Sequence, residues 1–167
     1  MTAGRIMPSP PPSWGSWEEI MREALAEAAT AAKQGEIPVG AVVVTRDGVL
    51  VGRGRNAPII ANDPTAHAEI AAIRQAAATI GNYRLNGCVL AVTLEPCLMC
   101  VGAIVHARLE GVVFGAADPK AGAVLSRLDG FDLPMHNHRP WQAGGILEET
   151  CAAMLRDFFA ERRREKT

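Results

Sequence analysis

An excess of charge of one sign is missing from this sequence. Its 17 lysines and arginines stand against 18 aspartates and glutamates, for a formal net charge of −1. No global basic field announces a nucleic-acid partner, so any such contact has to rest on a local patch. Cysteine is scarce as well. Cys88, Cys97, Cys100 and Cys151 are too few and too unevenly spaced for the disulfide framework of a secreted protein, and cysteine chemistry in a reducing cytosol fits them better. No stretch is long and apolar enough to span a membrane. Residues 1–13, with prolines at 8, 10, 11 and 12, lack the long apolar run of a signal peptide. There is no internal repeat and no sign of a second domain. What is left is a cytoplasmic protein of 167 residues. It has a disordered proline-rich tail over 1–15 and one domain over 16–165, large enough to bury a hydrophobic core.

Two short stretches stand out in that ordinary background, His67-Ala68-Glu69 and Pro96-Cys97-Leu98-Met99-Cys100. A C-x-x-C pair and one histidine supply three soft or borderline ligands of the kind zinc favours. A structural zinc site normally shows four. Three leave a position for water, and Glu69 lies beside the histidine without being needed as a ligand, so the pattern points to a catalytic zinc. Taken alone, the C-x-x-C would fit a structural zinc or two unrelated buried thiols equally well.

Periodicity predicts the frame around these residues. Ser16 and Glu19 have the spacing of a capping box, and apolar residues recur at helical intervals from Trp17 to Lys33. Residues 39–45 and 49–52 read as an antiparallel strand pair about the Asp47-Gly48 turn. A loop over 55–64 leads to a second helix from Thr65 to Ile80, then a strand over 88–94 and a third helix from Pro96 to about Ala107. A strand over 111–115 follows, then an irregular stretch over 116–140 with one short helix at 121–128, and a last helix from Leu147 to about Arg164. Helices interleaved with strands make this an α/β protein, a three-layer α/β/α sandwich with a mixed sheet.

Lengths bring the motif halves together. A helix of about 16 residues runs roughly 24 Å, and a strand of about seven returns roughly 23 Å. The third helix thus begins beside the start of the second, near His67. Cys97 and Cys100 fall on one face of its first turn, where the helix N-terminus favours thiolates. His67 and Glu69, at i and i+2 on a helix, point about 200° apart and do not suit equal ligand roles. Cys88 lies at the far end of its strand, His106 lies along the helix and Cys151 belongs to an apolar face. His136 and His138, in the irregular loop, stay open as a fourth ligand.

The H-A-E and P-C-L-M-C pair is similar to the zinc deaminase signature. The wider sequence resembles the bacterial tRNA adenosine deaminases of the cytidine and deoxycytidylate deaminase superfamily. Ile37-Pro38-Val39-Gly40-Ala41-Val42, Arg55-Asn56 and Asp63-Pro64-Thr65-Ala66 carry the likeness, as do Asn82-Tyr83-Arg84-Leu85, Val92-Thr93-Leu94-Glu95 and Asn137-His138-Arg139. Ala117, where that family often has arginine, and Leu125-Ser126, where it has Gly-Ser, depart from it. The resemblance implies a central mixed five-stranded sheet and one zinc per subunit on His67, Cys97 and Cys100. It implies deamination of adenosine to inosine at the wobble position of a tRNA anticodon stem-loop, with Glu69 as the proton shuttle. Asn56, Ala68, Pro96, Asp118, Lys120 and Phe159 are then the substrate contacts, and a homodimer, with the third helix at the contact, is expected. By periodicity alone Phe159 reads as core and Asp118-Pro119 as a turn. The rival functions are deamination of a free guanine- or cytosine-type base, nucleoside or nucleotide, and a non-catalytic zinc-stabilised RNA-binding module.

Overall fold

Ser16 opens the first helix by accepting the Glu19 N–H on its Oγ at 3.3 Å, while the Glu19 carboxylate takes the Gly15 N–H at 2.8 Å. In this computed structural model, which describes residues 6–166, α1 (Trp17–Lys33) buries Trp17, Ile20, Met21, Ala24, Leu25, Ala28 and Ala31 along one stripe. Five strands follow in the spatial order β2-β1-β3-β4-β5. They are β1 (Gly40–Val44), β2 (Leu50–Arg55), β3 (Val89–Leu94), β4 (Gly111–Ala116) and β5 (Trp141–Ala143). β1 is antiparallel to β2 and β3, whereas β3, β4 and β5 run parallel.

Successive side chains of a strand point to opposite faces, and here both faces are covered. Ala41, Val43, Leu90, Val92, Val112 and Phe114 pack with α3 (Ala68–Ile80) and α4 (Leu98–His106). Val42, Val44, Val89, Ala91 and Val113 pack with α1 and α5 (Glu148–Glu165). Burial on two faces is why β1 and β3 read as unbroken apolar runs. The expected three-layer sandwich on a five-stranded mixed sheet is the observed fold.

Several boundaries differ from expectation. β2 runs on to Arg55, because it stays paired with β1 as far as Gly40, and Arg53 and Arg55 reach Glu23 and Glu27 of α1 at 2.7 and 2.9 Å. The expected loop over 55–64 holds a one-turn helix, α2 (Pro58–Ala61). α3 and α4 start later than predicted, at Ala68 and Leu98. The short helix expected over 121–128 is a series of turns, since N–H groups that would join a helical ladder donate instead to a side chain, Glu95. β5 spans only three residues, too few for periodicity to reveal.

The tail also departs from the disorder expected over 1–15. Residues 1–5 lie outside those described, but from Pro8 onward the chain is tethered. Trp17 Nε1 donates to the Pro8 carbonyl at 2.8 Å, Trp14 Nε1 donates to the Gly48 carbonyl at 2.9 Å, and Pro11 is buried. Two indole N–H groups that need acceptors hold a segment that cannot form a regular ladder of its own.

Candidate metal centre and active site

Strands β2, β3 and β4 deliver their C-terminal ends to one edge of the sheet, as the register pairs Gly40 with Arg55, Ala41 with Val92 and Leu94 with Ala116 show. Such an edge is where open α/β sheets place their ligand crevices. Asn56 follows β2, Cys97 follows β3 and Asp118 follows β4. α3 lies directly against β2, so closely that a Cβ on Gly54 would overlap the Ala68 carbonyl and the Ala72 nitrogen. Glycine at 54 is what seats the first turn of α3, and with it His67, at this edge.

His67 and Cys97 occupy equivalent positions, each the N-cap of its helix with extended backbone: φ −81° and ψ 153° at His67, φ −76° and ψ 172° at Cys97. His67 is therefore not on the helix, and the 200° separation from Glu69 expected on helical geometry does not apply. The Cys97 and Cys100 sulfurs each lie 3.6 Å from His67 Nδ1. A tetrahedral zinc with ordinary Zn–N and Zn–S bonds spaces such atoms about 3.6 Å apart. The donor set fits zinc by distance as well as by chemistry. Among the described residues, no other histidine, cysteine or carboxylate joins this group. His138, one of the open candidates, has its Nε2 2.6 Å from the Leu109 carbonyl.

Electrostatics at the three donors follow from their contacts. The Cys100 thiol, then His67 and the Cys100 backbone N–H, hydrogen-bond the Cys97 sulfur and hold its pKa down at about 4 against burial. The Cys100 thiol is raised, first by its bond to Cys97 and then by burial. His67 is raised, chiefly by its hydrogen bond to Cys97. Zinc binding needs neutral histidine and ionised cysteine, so metal uptake by this set releases protons. Glu69 is buried and in hydrogen-bond contact with Cys100, and burial pushes its carboxyl up to about 7.

The residues expected to contact substrate divide into two groups. Asn56 Oδ1 accepts the Ala68 N–H at 3.0 Å, which links two of them beside His67. Pro96 is buried, Asp118 half-buried and Lys120 exposed. Asp118 Oδ1 accepts the N–H groups of Lys120 and Ala121 at 2.9 and 3.1 Å, so Asp118 shapes its own turn. Phe159 stands apart on α5, 43% exposed with its ring edge-on to Phe158. Sequence reading gives no role to Glu95, buried between Leu94 and Pro96. Its Oε1 accepts the N–H groups of Val124, Leu125 and Ser126 at 3.1, 2.7 and 2.8 Å. Its Oε2 accepts the Asp118 N–H at 3.0 Å and the Ser126 hydroxyl. The available signal was a carboxylate closing an otherwise apolar strand, where burial demands partners.

Comparison with known proteins places this geometry in context. Residues 15–116 match the cytidine and deoxycytidylate deaminase zinc-binding region. The tRNA-specific adenosine deaminase of Haemophilus influenzae is 50% identical over 149 residues, covering 89% of this chain and 86% of that protein. A structure solved in work on A-to-I editing by tRNA:A34 deaminases at the wobble position of transfer RNA superposes with a TM-score of 0.79 at 45% identity, over 82% of this chain and 99% of the other. The guanine deaminase of Nitrosomonas europaea also superposes, at a TM-score of 0.75 and 25% identity, over 90% of this chain and 88% of the other.

Proposed function

This chain belongs to the cytidine and deoxycytidylate deaminase family, and from that premise we propose that it converts adenosine to inosine at the wobble position of a tRNA anticodon, as a zinc-dependent hydrolase. His67, through Nδ1, and the thiolates of Cys97 and Cys100 would hold the ion. Zinc bound there supplies a water acidified towards neutrality as the nucleophile. Glu69 would take a proton from the attacking water, pass it to a ring nitrogen of the base and later assist the departure of ammonia. A carboxyl held near 7 by burial can both accept and return a proton at working pH.

Asn56 reads the base edge, with the Ala68 backbone holding it in orientation. Ala68 N–H already fixes Asn56 Oδ1, and the Asn56 amide supplies further donors. Pro96 closes the pocket wall beside Cys97, and Asp118, Lys120 and Phe159 take the flanking nucleotides. The base has to leave its stack, which is cheap in a single-stranded anticodon loop.

The observation that carries the hydrolytic reading is the three-donor cluster, both sulfurs 3.6 Å from His67 Nδ1, with a buried carboxyl beside it. A zinc-stabilised RNA-binding module would have no use for that carboxyl, whose burial is costly. For the substrate, identities of 50% and 45% to tRNA-acting relatives outweigh 25% and 37% to the guanine deaminases of Nitrosomonas europaea and Bacillus subtilis. A homodimer in the cytoplasm completes the proposal. Exposed Leu98 and Met99 at the start of α4 support an apolar subunit contact, and four unpaired cysteines suit a reducing compartment. The test is to offer the zinc-loaded protein an anticodon stem-loop carrying the wobble adenosine, and free guanine and cytidine in parallel. Inosine in the stem-loop is expected; turnover of a free base alone would replace the proposal with the rival.

A further inference from the structure

Segment 118–126 has neither helix nor strand to hold it, yet it carries Asp118 and Lys120. Five hydrogen bonds converge from it on the carboxylate of Glu95, the residue before Pro96-Cys97. The three consecutive N–H groups of 124–126 on one oxygen form an anion-binding nest, filled here by the chain's own side chain. Two backbone bonds join the same junction. Ala123 N–H donates to the Pro96 carbonyl at 2.8 Å, and Glu95 N–H donates to the Ala116 carbonyl at 2.8 Å. A Cβ on Gly122 would overlap the Glu95 carboxylate, so this position admits glycine in order that the carboxylate can enter.

We propose that Glu95 is a positioning residue that fixes the nucleotide-contacting segment 118–126 relative to the metal-bearing turn at Cys97. It touches neither the base nor the metal donors in this reading. It sets the distance between the grip on flanking nucleotides and the atom where the reaction occurs. The proposal rests on the assignment of Asp118 and Lys120 to substrate binding. Charged hydrogen bonds to a buried carboxylate are stronger than neutral ones, so one side chain suffices to order nine residues.

Glu95→Gln tests this at constant shape. Whichever way its amide lies, an NH2 replaces an accepting oxygen and faces either the Asp118 N–H or the trio at 124–126. With the anticodon stem-loop as substrate, KM is expected to rise roughly tenfold or more while kcat falls by less than about threefold. Zinc content stays at the wild-type level, and the amides that face the new NH2, either that of Asp118 or those of 124–126, lose protection from hydrogen exchange while those of β3 and β4 keep theirs. Ser126→Ala, which removes one of the five bonds, gives a smaller rise in KM and guards against misfolding of the first variant. Loss of kcat and zinc at unchanged KM would make Glu95 a support for the metal turn and overturn the proposal, as would unchanged KM despite loosened amides in both variants. A wild-type protein that leaves the stem-loop unmodified overturns the functional reading and with it the link to nucleotides. Wild-type turnover with no change of KM in the variants overturns the positioning role alone.

Discussion

His67 and Cys97 each stand at the start of a helix whose place is dictated by strands on either side, whereas Asp118 and Lys120 stand on irregular chain gathered around one carboxylate. In the first region, backbone periodicity does the positioning: helix and strand lengths match, so two N-caps meet. In the second, a side chain replaces the regular ladder and its hydrogen bonds span some thirty residues of sequence. In the proposed function, chemistry is thus built on rigid elements, and substrate contact on a segment gathered at the Glu95 junction. The two regions should fail in different ways when perturbed.

The largest effect is expected at the metal donors. Cys97→Ala or His67→Ala leaves two ligands, and zinc content and turnover both fall to background, measured by metal analysis and inosine formation. Retained turnover with zinc lost would sink the metal assignment. Next comes Glu69→Gln, which keeps size and burial but removes the proton acceptor. Turnover should fall about 10²- to 10⁴-fold with zinc still bound. An unchanged rate would dismiss Glu69 as the shuttle.

The pH profile follows from the same residue. Glu69 has to begin as a carboxylate, and burial raises its pKa to about 7, so protonation silences it as pH falls. The positive charge of bound zinc acts in the opposite sense and favours the carboxylate. The acid limb of kcat/KM should therefore lie at or below that value and drop about tenfold per pH unit. A limb above it would assign the limiting proton elsewhere. Changes in the Glu95 junction should appear in KM and leave this limb in place.

How much of this was legible in advance depends on which force positions each residue. The three possible metal donors and the sandwich could be read from spacing and apolar runs, because regular elements express themselves in sequence at short range. The expectation that His67 lies on the helix fails because an N-cap has extended backbone, a boundary of three residues that periodicity does not resolve. The helix expected over 121–128 fails for a different reason. Its local residues permit helix, and a carboxylate thirty residues away in sequence takes the N–H groups. β2 ends later than expected because β1 offers it backbone partners as far as Gly40, a pairing that the arginines and glycines of 52–55 do not announce.

The smallest expected effect concerns the other irregular segment, the proline-rich tail, which is also held by side-chain bonds to backbone but lies against residues such as Arg46, Gly87, Val89, Glu110 and Trp141, away from the metal donors. Deleting residues 1–12 removes the Pro8 acceptor of Trp17 and the buried Pro11 while leaving Trp14 in place. Two lost hydrogen bonds, from Trp17 Nε1 to Pro8 and from the Trp14 N–H to Pro11, and a modest apolar area amount to about 2–3 kcal/mol, a fall in Tm of roughly 4–10 °C for a chain of this size. Turnover of the stem-loop should stay within about twofold, because among the described residues the tail makes no hydrogen bond to the N-caps of α3 and α4 or to the Glu95 junction. Thermal melts and kinetics on the same preparation separate the two readouts. A fall in kcat/KM matching that of Glu95→Gln would put the tail with segment 118–126 as a second substrate-side element. A fall in Tm alone would mean that irregular chain affects catalysis here only where it is bonded to the metal-bearing turn.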